Sequence, residues 1–156
     1  MPHFTPAQMK QDHSDGAGNP CGPYAALLCS DTGGLSQFGA FVEILPPGSK
    51  SSIKHWHQTE DEMIYMLAGE VTLHEGATQS LMRPGDCATF KAGEAVGHCL
   101  ENTSGAEARY LVIGTRAPRD VVTYPDHDRV VQIDSASGAR VYTTLDGAPA
   151  ETPYKL

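Results

Sequence analysis

The strongest constraint on this chain is its punctuation. Apolar stretches of strand length are cut apart by Gly, Pro, Asp and Asn, and nowhere does a 3.6-residue apolar period persist for the length of a helix. Strands are expected at 24–30, 37–45, from Glu62 through Met66, and then at 71–75, 78–83, 87–90, 97–102, 107–114, 129–133 and 139–144. Roughly ten short strands at this spacing define an all-β sandwich or barrel. In 37–45 the expected inward set is Phe38, Ala40, Val42 and Ile44, with Glu43 facing out. Pro46 and Pro47 end that strand, because proline cannot donate to a ladder.

The two ends are less regular. Residues 1–22 are rich in Pro, Gly, Asp and Gln without a period, which fits either an ordered wrap or a loose tail. After Thr115 the pattern loosens around Pro118 and Pro125, a terminal hairpin follows across 135–138, and the last residues read as coil. The expected organisation is a single domain, 1–156. It comprises a barrel core at about 24–114, the N-terminal segment 1–22 and a C-terminal extension with its hairpin, 115–156.

Charge narrows the partners. With 19 acids against 11 bases, a formal net charge of -8 argues against nucleic acid and against an anionic membrane surface, both of which need a cationic footprint. Cys21, Cys29, Cys87 and Cys99 show no CxxC spacing in a chain large enough to fold without staples, so they are read as reduced. The start, MPHFTPAQMK, lacks the apolar core of a secretory signal, and a cytoplasmic location is expected.

The chemistry concentrates in residues 48–69. On a strand, alternate residues share a face, so His55 and His57 form a chelating pair while Trp56 points away. Glu62 opens the inward series continued by Ile64 and Met66, which brings a carboxylate back beside the imidazoles. Glu60 and Asp61 are the alternative acids, placed in the intervening loop. His98, in GEAVGHCLEN, is the expected fourth ligand, and Cys99 should face away from it. Imidazole and carboxylate together suit a borderline divalent ion: zinc, iron, nickel or manganese. His3, His13, His74 and His127 match no ligand spacing, and Lys91, Arg83 and Arg109 are open as substrate anchors or plain surface charge.

These residues resemble the cupin family. Gly48, His55, His57, Glu62 and Gly69 look like its first motif, and Gly85, Gly93, His98 and Asn102 like its second. The run of HWH, an acidic pair, PGD and a later Tyr124-Pro125-Asp126 is similar to small bacterial single-domain cupins of the conserved-barrel type. The spacing departs from the motif before His55 and before His98, where the loops are longer. The resemblance implies a double-stranded β-helix barrel holding one divalent metal near an open end, a homodimer, and a small-molecule ligand or substrate.

The wall of the cup is expected to include Phe38, Ile64, Met66, Phe90 and Leu100. Three histidines and a glutamate leave coordination positions open, the arrangement of a catalytic site. No catalytic residue is assigned. A metal-dependent isomerase or lyase acting on a small oxygen-rich metabolite is favoured over an iron-dependent dioxygenase and over a non-catalytic ligand- or metal-binding module.

Overall fold

The computed structural model describes residues 2–153. Among them the chain forms β1 (Lys10–Ser14), β2 (Tyr24–Leu28), β3 (Phe38–Leu45), β4 (Trp56–His57), β5 (Glu62–Ala68), β6 (Val71–Glu75) and β7 (Thr78–Met82). It continues with β8 (Cys87–Phe90), β9 (His98–Glu101), β10 (Ala108–Thr115), β11 (Arg119–Tyr124), β12 (Arg129–Asp134), β13 (Ala139–Thr143) and β14 (Pro149–Ala150). The one α-helix among the described residues, α1 (Cys29–Gly33), follows β2. No helix there is long and apolar enough to cross a membrane.

The strands make three sheets. Six run in the order β1-β2-β3-β10-β5-β8, five in the order β14-β13-β12-β11-β4, and three in the order β7-β6-β9. This is a double-stranded β-helix, with sheets facing across a shared interior. The N-terminal segment is an ordered wrap in part, since β1 pairs with β2 along the edge of the large sheet. The loosened region after Thr115 contains β11, a strand the alternation pattern does not announce.

The interior is built in rows. Cross-strand register aligns Glu43, Tyr110 and Met66 in one row, Phe41, Val112 and Ile64 in the next, and Gly39, Gly114 and Glu62 in the third. Leu45, Ile64, Met66, Leu100 and Tyr110 are almost completely buried in this core. The parity of β3 is therefore opposite to the sequence expectation: Phe41, Glu43 and Leu45 point in, and Glu43 is buried. Phe38 is 38% exposed and belongs to the outer rim rather than the cup wall. The physical reason is that both faces of β3 carry apolar residues, so alternation could not choose between them, and pairing with Tyr110 did.

Two details fix the scaffold. At Gly69, φ is +71° and an added Cβ would lie 2.5 Å from the Glu107 carbonyl, so the turn between β5 and β6 admits no side chain. Asn102 is fully buried, donates from Nδ2 to the carbonyls of Leu45 and Ala106, and accepts from Ser104 through Oδ1, tying the end of β9 to β3.

Candidate metal centre

The segment containing His55 crosses from one sheet to another. His55 and His98 exchange backbone hydrogen bonds, His55 N to His98 O at 3.1 Å and His98 N to His55 O at 2.9 Å, while Trp56 and His57 pair with β11. That bridge aligns the two imidazoles on the same inner face, with ring centroids 5.1 Å apart. Glu62 enters from β5 in the large sheet, its Oε1 3.6 Å from His98 Nε2. One ligand atom from each of His55, Glu62 and His98 falls within 4.8 Å of the others.

His55 is held from behind by the backbone. A carbonyl can only accept, so the 3.0 Å contact between His55 Nδ1 and the Ile53 carbonyl places the proton on Nδ1 and leaves Nε2 with a free lone pair. Burial, then the neighbouring His57 and His98, pull the His55 pKa down to about 4, which keeps the ring neutral at neutral pH as ligation requires. Phe90 stacks flat on His98 at 3.5 Å. Burial opposes ionisation of Glu62, but contact with His98 and the charges of the three histidines outweigh it and hold its carboxyl below the usual range.

His98 decides whether the group fits a metal. It is 3% exposed, and neither ring nitrogen has a hydrogen-bond partner. A desolvated polar atom left unpaired costs about 1–3 kcal/mol, and the Nε2 of this ring, beside a free imidazole nitrogen and the Glu62 carboxylate, matches a bound cation. The donor set of nitrogen and carboxylate oxygen suits zinc, iron, nickel or manganese.

His57 stands beside this trio rather than within it. Its ring centroid is 5.0 Å from that of His55, and it lines a narrow cavity with Glu62 and His98. Its Nδ1 lies 2.6 Å from Asp120 Oδ2 and 4.0 Å from Glu60 Oε2, so His57, Glu60 and Asp120 form a second compact group. Three of the four carboxylate oxygens of that second group, both of Asp120 and Oε1 of Glu60, are already engaged. Asp120 also accepts from Thr59 N and Thr59 Oγ1, and Glu60 accepts from Ala117 N. A carboxylate on Nδ1 leaves Nε2 of His57 as the lone-pair nitrogen, the usual way a ligating histidine is oriented.

The other sequence candidates separate cleanly. Asp61 accepts from Ala92 N in the loop and takes part in neither cluster. Burial raises the Cys99 thiol, which is also outside both clusters. Ile64 and Leu100 line the inner cavity, about 180 Å³, whereas Met66 lies deeper in the core and Phe90 covers His98. Asp120 was not legible: it is 63 residues from His57 on a strand without clear alternation. Glu43, expected to face out, instead lines the inner cavity with Tyr110, its cross-strand neighbour on β10.

A β-helix barrel with histidines and a glutamate converging inside one end defines a class, and the chain belongs to the cupin superfamily. The family profile described as Cupin domain matches residues 41–114. The crystal structure of a sugar phosphate isomerase from a cupin superfamily, from Silicibacter pomeroyi, is 33% identical with a TM-score of 0.86, covering 98% of this chain and 99% of that one. A protein of Acidithiobacillus ferrooxidans, provisionally named sugar phosphate isomerase, is 27% identical with a TM-score of 0.82 over 94% of this chain and 92% of that one. The oxalate-binding protein of Thermotoga maritima is 33% identical over 69 residues, 44% of this chain and 54% of that protein, so the chain spans about half of that relative.

Proposed function

We propose that this protein holds one divalent metal ion through His55, His57, Glu62 and His98 and isomerises a small hydroxylated carbonyl compound of the sugar phosphate class. The observation that carries the reading is the buried, unpartnered His98 facing Glu62 and His55. The two relatives named for sugar phosphate isomerisation support the substrate class. When bound, the ion supplies Lewis-acid polarisation of a substrate carbonyl or hydroxyl oxygen.

The protein's own groups do the rest. Ile53 and Asp120 orient His55 and His57 from their Nδ1 sides, and Phe90 excludes water from one face of His98. Glu62 serves as ligand or, when displaced, as the base that moves a proton between adjacent carbons. Gly39 and Gly114, in the row of Glu62, present no side chain, and they line with Glu62 an outer cavity of about 420 Å³ through which substrate can enter.

The test is metal analysis of protein purified without added metal, followed by NMR of aldose and ketose phosphates incubated with the loaded protein. Interconversion of an aldose–ketose pair without oxygen uptake is the expected result. Oxygen consumption with an iron-loaded protein would replace this reading with a dioxygenase, and binding without turnover would make it a ligand-binding module.

A further inference from the structure

Beneath the metal centre, the floor of the cup carries polar groups that the ligation scheme leaves unused. Tyr110 is 0% exposed, and its hydroxyl makes no hydrogen bond of normal geometry. The Glu43 carboxyl and the Ser51 hydroxyl stand close enough to influence its acidity, and burial keeps it a protonated phenol. Glu43, Ser51 and Tyr110 line the same inner cavity as His55, Glu62 and His98. The two poles are joined by space rather than by bonds.

Rows of the sheet set the distance and the wall. Glu62 and Tyr110 lie two inward rows apart, with Phe41, Val112 and Ile64 between them. Two rows correspond to roughly 13 Å along a strand, less the reach of the side chains. A ligand of about five carbons with one end at Glu62 and His98 would therefore pass its chain through an apolar belt and bring its far end to Tyr110. No Lys or Arg lines this cavity. A phosphate or second carboxylate on the floor would meet Glu43 with no cation to balance it, so the floor suits neutral hydroxyls. Lys91 lines the rim cavities with Glu62 and Phe90, and Arg116 lines the outer cavity with Glu62, on the side where an anionic group would stay.

We propose that Glu43, Tyr110 and Ser51 form a hydroxyl-recognising pole that selects polyhydroxylated chains, donating and accepting hydrogen bonds to the tail of a ligand whose head sits at the metal centre. The proposal rests on the metal-held reading of the head. It identifies specificity residues, not residues that transfer a proton.

A pair of probes with the same α-hydroxycarboxylate head and the same chain length isolates the tail. The four pentonates carry hydroxyls along the chain, whereas 2-hydroxypentanoate carries none beyond the head. Calorimetric titration of zinc-loaded wild type is expected to show the best pentonate binding at least about fivefold tighter than 2-hydroxypentanoate, the scale of one neutral hydrogen bond. Tyr110→Phe and Glu43→Met should each abolish that preference while leaving zinc affinity and 2-hydroxypentanoate affinity unchanged. Both replacements nearly keep the volume, and if one fails to fold the other decides. Absence of a preference in wild type, or its survival in the folded variants, overturns the proposal. Loss of zinc binding by wild type with the preference intact would instead overturn the metal reading, and the preference on metal-free protein would still decide the pole.

Discussion

Asp120 shows how a distant residue can set the chemistry of a proposed ligand. Its carboxylate takes the Nδ1 side of His57 and is itself held by Thr59, and these contacts outweigh burial to keep it ionised. Asp120→Asn should weaken metal binding by about 10–100-fold, the range for losing such support, while Asp61→Asn should leave it unchanged. Metal titration by calorimetry reads both, and an unaltered Kd for Asp120→Asn would show that His57 needs no partner. Glu43 makes a different prediction. Burial raises its pKa from 4.5 to about 7, so between those values the folded state binds a proton that the unfolded state has lost, and stability falls as pH rises. Glu43→Gln removes that loss. Relative to wild type it should gain stability progressively from about pH 4.5 to about pH 7, by up to about 3 kcal/mol, and denaturant melts across that range measure it. A pH-independent difference would mean that the carboxyl is hydrated in the native state.

At the level of elements, the proposed ligands belong to three separate pieces of the fold. His98 starts β9 in the three-stranded sheet, Glu62 starts β5 in the six-stranded sheet, and His57 ends β4 beside β11 in the five-stranded sheet. Between β9 and β4, the His55–His98 bridge and a few loop bonds span the gap. An ion held by all of them ties three sheets together and binds only the native state, so it stabilises the fold by mass action. Chelation should lower the melting temperature by several degrees, since about 1 kcal/mol corresponds to roughly 2–4 °C at this size. A melting curve unchanged after verified metal removal would count against a formed site. The strand order also explains why the second motif tolerates a longer loop before His98: the backbone bridge to His55, rather than the count from Gly93, sets its register.

For the whole molecule, the outer face of the large sheet is the unusual surface. Register aligns Leu27, Val42, Leu111 and Tyr65 in one row, and Ala40, Ile113 and Met63 in the next, all on the face opposite the core. Tyr65 and Leu67 are 41% and 46% exposed. A contiguous apolar face of this kind is normally covered, and a second copy of the chain would cover it symmetrically. We therefore expect a homodimer, with light scattering at micromolar concentration giving about twice 16.7 kDa. Leu111→Glu and Tyr65→Glu should shift it to the monomer. A wild-type mass near 16.7 kDa would remove the expectation.

Much of the architecture was legible because β-structure writes itself locally. A period of two placed Ile64, Met66, Val71, Leu73 and Leu100 inside, and glycine and proline marked the turns, since both effects act within a few residues. The same local rule set His55 beside His57 and started the inward series at Glu62. It failed where both faces of a strand are apolar: in β3 the choice between Phe38 and Glu43 was made by pairing with β10, which is a tertiary event. The tertiary structure alone brought Asp120 to His57 across 63 residues and Glu43 to Tyr110. Contacts between distant strands depend on how the chain closes into a barrel, and no residue carries that closure in its immediate neighbours.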